Sequence, residues 1–347
     1  MKPPDSSKID SAWPVGGTEQ VGACPFCGSA GRVLAHRDVS DWSFYCAPGT
    51  WTYWTCSHCG SLYLDPRPTV ATIGSAYGTY YTHSDGGRTS LVQQFRLRLI
   101  NECWSQWLGG DFRPRLHIPA FLGWLLSPLR ARLTAPFELE ELRRMPAGRL
   151  LDVGCGDGRM LDLASQLGWT ATGLDFDPAA AQSARSRGLD AIEGSYVRVS
   201  EFSREFDCII CSHVLEHVHD PVDLLRRIGG ALKEGGTLLL ATPNASSRMR
   251  QYFGDAWRGL EAPRHLGIPS MRQLDCMLRE MGFAVRPRSI TRLWTAAESF
   301  RIQRRGARVN ASDKRLARKL AAGMDPASSE ANDFVEFICV KGAKDAA

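Results

Sequence analysis

The sequence predicts an α/β fold in which a mostly parallel sheet has helices on both of its faces. From residue 146 to about residue 343, short apolar runs alternate with helix-like runs, a pattern typical of parallel strands joined by helices. A glycine-rich turn follows the first apolar run, where a strand would pass into a helix. Ahead of this region lie two Cys-x-x-Cys pairs and a long segment rich in arginine and aromatic residues.

The composition is that of an ordinary globular protein. The 347 residues are 44% hydrophobic and 23% charged, which suits a soluble chain of one to three domains. A net charge of +5 permits an anionic partner without requiring one. Eleven cysteines are present, but the chain begins Met-Lys-Pro-Pro-Asp without an apolar signal run. We therefore expect a reducing, cytoplasmic compartment.

Four cysteines near the N-terminus have the spacing of a metal site. Residues 1–21 lack periodicity and are predicted to be a flexible leader, and residues 22–68 are predicted to be a small zinc ribbon. In it, two knuckles, each followed by glycine, flank two runs that alternate like a hairpin. Four thiolates suit a tetrahedral, structural Zn²⁺ site without an open position for catalysis. The predicted ligands are Cys24, Cys27, Cys56 and Cys59, and Cys46 is an alternative ligand.

Residues 69–145 are predicted to be a helical basic and aromatic cap or linker. Between residues 88 and 145, nine arginines interleave with tryptophan and phenylalanine, and the apolar run at 118–126 is too short to span a membrane. One interpretation is a helical cap with a solvated basic face. Another is peripheral membrane contact, with apolar rings in the interface and arginines toward lipid phosphates. A nucleic-acid surface is the third and least favoured interpretation.

Residues 146–343 are predicted to form the sheet and its covering helices. Helices are expected at 160–167, 178–187, 221–232 and 270–281. Seven strands are expected, at 150–153, 170–174, 191–193, 206–211, 237–241, 283–289 and 334–340. In such open sheets, ligands bind at the carboxyl ends of the strands, so the residues that follow the strands are the candidate binding residues.

The first strand ends in Asp152, and the turn after it has the spacing Gly-x-Gly-x-Gly. Glycines there let a ligand approach the backbone, while the carboxylate would repel a pyrophosphate and accept hydrogen bonds from an ammonium group. This stretch resembles motif I of class I S-adenosylmethionine (SAM)-dependent methyltransferases. The resemblance implies a Rossmann-like methyltransferase domain at 146–343, with SAM bound by Asp152, Gly154, Cys155 and Gly156.

Further residues of the SAM site follow the next strands. Asp175 ends the second strand, where an acid can bind both ribose hydroxyls of an adenosine, and Phe176 can pack on the adenine. The family resemblance places Ser195 near the adenine amino group. It also places Ser212 and His213 along the methionine end of SAM. The stretch Val-Leu-Glu-His-Val at 214–218 strengthens the resemblance, because it matches the pattern that follows the fourth strand in the family.

Methyl transfer from a sulfonium requires alignment and the removal of a proton from the acceptor. Alignment is worth up to ~7–11 kcal/mol and a general base about 10²–10⁴-fold. The candidate bases are His265, in a segment that covers the substrate in relatives, and His217. For His217, packing of the helix start is the competing interpretation.

The order of zinc knuckle, Pro-Arg-Pro and tyrosine group resembles the N-terminal module of many bacterial sugar, glycan and natural-product methyltransferases. We therefore expect O-methylation of a hydroxyl on a sugar, glycan or lipid-linked small molecule. The alternatives are C-methylation of a nucleotide sugar, methylation of ribosomal RNA, and a SAM-binding interaction protein without turnover. The expected partner is a small-molecule or glycan acceptor, in the cytoplasm or at the inner face of the membrane.

Overall fold

A computed structural model of the chain describes residues 11–77, 90–119, 121–122, 126, 133, 135–290, 293–305, 309–322 and 332–342. The strands are β1 Thr18–Glu19, β2 Arg32–Val39, β3 Trp51–Cys56, β4 Leu62–Leu64, β5 Arg67–Pro68, β6 Arg149–Val153, β7 Thr170–Asp175, β8 Asp190–Glu193, β9 Phe206–Ser212, β10 Leu232–Pro243, β11 Gly267–Ile268, β12 Phe283–Ile290 and β13 Phe334–Lys341.

The α-helices of the described residues are α1 Leu91–Leu108, α2 Phe137–Leu142, α3 Arg159–Gln166, α4 Pro178–Ser186, α5 Pro221–Ala231, α6 Arg248–Phe253, α7 Met271–Glu280, α8 Leu293–Gln303 and α9 Ala311–Ala322. Short 3₁₀ helices lie at Ile73–Tyr77, Tyr196–Glu201, Leu215–His217 and Gly254–Ala256. Several helices begin at a side chain that caps them. The Asp177 side chain accepts from Ala179 N ahead of α4, and the Ser270 side chain accepts from Gln273 N ahead of α7.

A seven-stranded sheet has the order β12-β13-β10-β9-β6-β7-β8. β6 pairs in parallel with β7, and β7 with β8, so that their carboxyl ends meet at one edge. β13 runs antiparallel to both β10 and β12. The predicted α/β fold with a mostly parallel sheet is therefore confirmed, including the antiparallel last strand. The difference lies at β10, which begins at Leu232 rather than at residue 237.

The chain forms two compact units. The first comprises residues 1–80, 211–230 and 237–347, and the second comprises residues 81–210 and 231–236. The four predicted domain ranges stay predictions about the organisation of the sequence. In the structure, the predicted ribbon belongs to the first unit, whereas most of the predicted cap belongs to the second.

The core of the first unit joins the ribbon strands to the segment between β10 and α7. Tyr53 and Leu64 of the ribbon are fully buried in one cluster with Trp257, Leu266 and Phe300. Each buried side chain of this size contributes roughly 1.5–3 kcal/mol. A four-stranded sheet of order β11-β4-β3-β2 connects the same elements through backbone hydrogen bonds. The antiparallel pair β2–β3 confirms the predicted hairpin.

Residues 11–21 are the part of the predicted leader that the structure describes. β1 pairs antiparallel with β5, the ring of Trp13 packs edge-on against Trp51 at 5.0 Å, and Val21 N donates to Asp65 Oδ1 at 3.0 Å. Residues 13–21 thus contact the ribbon, while the flexible leader at residues 1–21 stays a prediction. A two-residue strand carries no periodicity from which its pairing can be read.

The described part of the cap has its own small core in the second unit. Trp104 of α1 and Phe112 are buried, and their rings meet edge to face at 6.3 Å. They pack with Leu139 of α2 and Leu163 of α3. The cap interpretation therefore fits these residues, and the buried Trp104 ring is not available to a membrane surface. Trp124 and Arg88, Arg130 and Arg132 lie outside the described residues. Among the described residues, no helix is long and apolar enough to cross a membrane.

Candidate functional site

The glycine-rich loop leads from β6 to α3 and is hydrogen-bonded to the end of β7 in the second unit. Gly154 N and Cys155 N both donate to Leu174 O, at 2.7 and 3.2 Å, and Gly158 N donates to Cys155 O at 3.0 Å. Gly154, Gly156 and Gly158 have φ angles of 78°, 54° and 82°, a backbone conformation that favours glycine. The loop thus turns tightly without side chains in the way of a ligand.

Asp175 is tied directly into this loop. Gly156 N donates to Asp175 Oδ2 at 2.8 Å, and Asp177 N donates to Asp175 Oδ1 at 2.9 Å. The carboxylate is buried at the end of β7. These two hydrogen bonds fix the Asp175 carboxylate against the glycine-rich loop.

Asp152 is the second acid of this region and is only 5% exposed. Burial raises the pKa of its carboxyl well above the usual range, and the nearby Glu138 and Asp175 carboxyls raise it further. A cationic group beside Asp152 would offset both effects and favour the ionised form.

Cys155 fills space behind the loop. A Cβ added at Gly173 of β7 would lie 2.5 Å from Cys155 Sγ, so the thiol packs against the bare backbone of that strand. Its side chain is buried, and burial raises the pKa of the thiol. If Cys155 contacts the cofactor as predicted, it does so through its backbone, because its side chain is buried against β7.

Phe176 and Ser195 lie on the turns that follow β7 and β8. Phe176 is 57% exposed, so its ring is accessible to a planar ligand. Ser195 is exposed and begins the 3₁₀ helix at Tyr196–Glu201. Gly194 N donates to Asp175 O at 2.8 Å, which holds the two turns together. The second unit thus brings together Asp152, Gly154, Cys155, Gly156 and Asp175, with Phe176 and Ser195 on the adjoining turns.

Ser212 and His213 belong to the first unit. Ser212 ends β9, and His213 follows with φ +57° and donates its backbone N–H to Ala241 O at 2.8 Å. The half-exposed His213 ring lies 3.3 Å, through Nδ1, from Oε1 of Glu216 and packs edge-on against Phe334.

Glu216 was missed as a candidate site residue, although it stands in the Val-Leu-Glu-His stretch. Its carboxylate is fully buried, and Thr242 Oγ1 donates to Oε2 at 2.9 Å. Burial alone would raise the pKa of this carboxyl, but His213 and the neighbouring histidines outweigh burial and lower it to about 2. The sequence did contain a signal for Glu216, because an acid that stands between an apolar residue and a histidine is a candidate for a buried functional group.

The two candidate bases lie beside Glu216. The rings of His217 and His265 meet edge to face at 4.7 Å. His217 Nδ1 lies 3.0 Å from Arg264 O, and His265 Nδ1 lies 2.7 Å from Gly259 O. Burial lowers the pKa of His265 to about 4 against the opposing effect of the Glu261 carboxylate. The structure therefore groups the two predicted histidines, and it buries His265 more deeply than His217.

Residues distant in sequence support this histidine pair. Tyr77 Oη lies 3.1 Å from His217 Nδ1. The Arg264 side chain donates to Ala76 O at 2.9 Å and to the Asp41 carboxylate. Tyr77 belongs to the tyrosine group that was noted in the sequence. Its contact with His217 and the pairing of Arg264 with Asp41 were not predicted, because contacts between separate segments leave no local pattern.

The four predicted cysteine ligands come together in the first unit. Cys24 Sγ lies 3.7 Å from Cys59 Sγ, Cys27 Sγ lies 3.5 Å from Cys56 Sγ, and all four sulfurs lie within 4.8 Å of one another. A tetrahedral zinc site with Zn–S bonds of about 2.3 Å requires sulfurs about 3.8 Å apart. A hydrogen bond from Cys24 holds the pKa of Cys59 well below its usual range. The donor set thus fits Zn²⁺.

Cys46 does not belong to this cluster. It is buried elsewhere, with Sγ 3.3 Å from Ala76 O and 3.4 Å from Asp41 Oδ2. The alternative of Cys46 as a zinc ligand is therefore wrong.

Known proteins were compared with the chain at the level of sequence and of structure. Residues 125–287 match the family model of the methyltransferase domain. A ubiquinone biosynthesis O-methyltransferase from Xanthomonas campestris is 36% identical over 107 residues, which are 29% of this chain and 45% of the relative. Another ubiquinone biosynthesis O-methyltransferase, from Paracidovorax citrulli, is 31% identical over 173 residues, which are 46% of this chain and 66% of the relative.

Among solved structures, a SAM-dependent methyltransferase from Archaeoglobus fulgidus has a TM-score of 0.43 and 17% identity, covering 63% of this chain and 99% of that chain. The chain spans about half the length of the first curated relatives that it matches. At residues 125–287, which include the glycine loop and its two buried acids, the chain thus carries a domain of the SAM-dependent methyltransferase family.

Proposed function

We propose that the chain transfers the methyl group of SAM to a hydroxyl oxygen of a small molecule. The observation that carries this proposal is the hydrogen bond between Gly156 N and Asp175 Oδ2. It fixes the acid at the end of β7 against the loop after β6, as a nucleoside site at strand ends requires. The sequence relatives are named ubiquinone biosynthesis O-methyltransferases, which supports an oxygen acceptor.

The proposed SAM contacts follow from the chemistry of each group. The Asp175 carboxylate accepts from the ribose hydroxyls, and the exposed Phe176 ring packs on the adenine. Backbone groups at 154–156 lie along the methionine part, while Asp152 accepts, directly or through water, from its ammonium group. A buried carboxyl with a raised pKa gains most from such a cation, because the cation restores its charged form.

The family resemblance alone proposes three further SAM contacts. Ser195, exposed after β8, is proposed to lie near the adenine amino group. Ser212 and His213 are proposed to line the methionine end, as the resemblance implies. The half-exposed ring of His213 leaves it accessible to a ligand.

His217 and His265 are proposed to handle the acceptor hydroxyl. Each ring has its Nδ1 at a backbone carbonyl, which fixes the proton on Nδ1 and leaves Nε2 with a lone pair. Two such nitrogens in one place can orient a hydroxyl and assist the loss of its proton. His265→Ala is expected to lower turnover at least 10²-fold with SAM binding retained.

The cysteine cluster is proposed to bind a structural Zn²⁺ that stabilises the ribbon. The separations between its sulfurs support this role, and four thiolates leave no position for a substrate. Ribbon side chains belong to a large buried cluster of the first unit. Loss of the metal is therefore expected to destabilise the packing of that cluster as well as the ribbon.

Contact with an anionic membrane surface is proposed for the start of α1. Leu91, Val92 and Phe95 are 82, 77 and 57% exposed, and Arg96 follows them. Apolar side chains beside a basic one suit an interface with lipid phosphates. Co-sedimentation with anionic vesicles is expected for the full chain and is expected to weaken in Phe95→Asp; absence of binding at low salt would refute the contact.

The proposed reaction is tested by incubating the full chain with methyl-labelled SAM and a bacterial extract. The extract is then separated into lipid, polysaccharide, RNA and protein fractions. Label is expected on a hydroxyl in the lipid or small-molecule fraction, with release of S-adenosylhomocysteine. Label on polysaccharide would indicate the sugar acceptor, whereas label on RNA or protein would refute a small-molecule acceptor. Intact SAM binding with no label anywhere would refute turnover.

A further inference from the structure

We propose that Glu216, His217 and His265 form a second metal site, distinct from the cysteine cluster, for a divalent transition-metal ion. Each residue offers one ligand atom, and these atoms lie within 4.8 Å of one another. The three residues come from two segments, the 3₁₀ helix Leu215–His217 and the stretch that precedes β11. The backbone bond from Leu266 N to Glu216 O, at 2.7 Å, joins these segments.

The hydrogen bonds of the two histidines are those of metal ligands. His217 Nδ1 lies 3.0 Å from Arg264 O and 3.1 Å from Tyr77 Oη, and His265 Nδ1 lies 2.7 Å from Gly259 O. Because a carbonyl oxygen only accepts, Nδ1 is the donor in both contacts with a carbonyl. Metal-bound histidines regularly donate their second ring N–H to a carbonyl or carboxylate, which sets the tautomer and the ring orientation. Both rings therefore present an Nε2 lone pair, as coordination requires.

The carboxylate ligand is also supported. Thr242 Oγ1 donates to Glu216 Oε2 at 2.9 Å, which orients the group while leaving lone pairs on both oxygens. The side chain is fully buried, and its ionic partner is the half-exposed ring of His213. A buried carboxylate needs close compensation of its charge, and a divalent cation between the three ligands would supply it.

The Glu261 carboxylate is near His265 but does not form a hydrogen bond with its Nε2 that would compete with a metal ion. Its Oε2 lies 3.6 Å from His265 Nε2, beyond hydrogen-bond distance. The Glu261 carboxylate instead pairs with Arg258 and with Arg264. The carboxylate that faces His265 is therefore already neutralised by two guanidinium groups.

The ligand set indicates which ions fit. Two imidazoles with one carboxylate favour transition ions such as Zn²⁺, Fe²⁺ or Co²⁺ over Mg²⁺, which prefers oxygen ligands. Three protein ligands leave coordination positions open. The half-buried His217 keeps that side of the cluster within reach of solvent and small molecules.

A role in methyl transfer rests on the proposed function, with the ion replacing the direct contact of the two Nε2 lone pairs with the acceptor hydroxyl. An ion with an open position lowers the pKa of a hydroxyl that binds to it. The acceptor proton then passes to water, and an oxygen lone pair forms the new C–O bond to the methyl carbon. The C–S bond breaks with its electron pair moving to sulfur, which turns the sulfonium into the neutral thioether S-adenosylhomocysteine.

The site is tested by loading the full chain with Co²⁺ and counting cobalt per chain by mass spectrometry, with absorption spectra alongside. Wild type is expected to hold two ions, one with thiolate charge-transfer bands and one without. His217→Ala and His265→Ala are each expected to hold one ion and to keep the thiolate bands. His219→Ala, a half-buried histidine outside the cluster, is the matched control and is expected to hold two.

One cobalt per chain in wild type, or two in both histidine variants, would overturn the second site. If His265→Ala fails to fold by circular dichroism, the less buried His217→Ala decides the outcome. SAM binding is measured on the same samples by calorimetry. A protein with two cobalt ions that ignores SAM would refute the proposed function alone, and a SAM-binding protein with one cobalt would refute the metal site alone.

Discussion

Arg264 and Asp41 form a two-point ion pair in which both side chains are fully buried. Nη1 lies 3.0 Å from Oδ2 and Nη2 lies 2.5 Å from Oδ1. Burial alone would raise the pKa of the Asp41 carboxyl, but the Arg264 guanidinium outweighs it and the pKa is lowered. Because the Arg264 carbonyl accepts from His217, this pair connects the loop between β2 and β3 to the histidine cluster.

Asp41→Asn is expected to destabilise the chain by about 3–5 kcal/mol, since it leaves the buried Arg264 charge without its partner. Urea denaturation followed by fluorescence measures the change. The matched control is Asp275→Asn, which breaks the partly exposed pair with Arg279 and is expected to cost no more than about 0.5 kcal/mol. Equal effects of the two substitutions would contradict the account of the buried pair.

Asp152→Asn is expected to stabilise the SAM-free chain at neutral pH. The folded-state pKa of Asp152 is raised above its unfolded value, so its contribution to stability is full below the unfolded pKa and is lost as the pH rises through the folded pKa. Asparagine does not titrate and avoids this loss. Thermal melts from acidic to neutral pH check the prediction; the same variant is expected to bind SAM more weakly. If the variant is less stable than wild type at neutral pH, the claim that ionisation of Asp152 destabilises the SAM-free chain is contradicted.

Gly173→Ala is expected to destabilise the second unit by about 1–3 kcal/mol through overpacking. The added Cβ would lie 2.5 Å from Cys155 Sγ and 2.7 Å from Leu161 Cδ1. Gly230→Ala within α5 is the control, because a Cβ there meets nothing within 4 Å. It is expected to be neutral or stabilising by up to about 1 kcal/mol. Denaturation midpoints that rank the two variants the other way would refute the packing of Cys155 on β7.

Cys27→Ser is expected to remove one zinc per chain and to lower the melting temperature by roughly 10 °C, because structural zinc contributes folding free energy. The matched control is Cys276→Ser, whose thiol is exposed on α7. Zinc content and melting temperature should stay at the wild-type values in this control. Unchanged zinc content in Cys27→Ser would show that the four thiols do not act as one site.

Much of the sheet was predictable because its strands are continuous apolar runs with acids or glycines at their ends. Asp152 and Asp175 could be named for the same reason, since a strand-end position follows from local sequence alone. The cysteine cluster followed from spacing. The start of β10 could not be predicted from the sequence. Leu232 continues the apolar pattern of α5 although it already lies in the strand.

The support of the histidine cluster could not be predicted. Arg264 and Asp41 are 223 positions apart, and an arginine and an aspartate in separate polar stretches suggest exposed residues. Trp104 was likewise ambiguous, because a tryptophan among arginines suits either a core or an interface. Such choices depend on which segments the fold brings into contact.

The central claim is that the loop after β6 and the acid that ends β7 bind SAM. Isothermal titration of SAM into the purified full chain tests it most directly. We expect one SAM per chain, with affinity falling at least about 10-fold in Asp175→Ala and retained in Asp190→Ala, which removes an exposed acid at the start of β8. No binding by wild type, or equal affinity in Asp175→Ala, would contradict it.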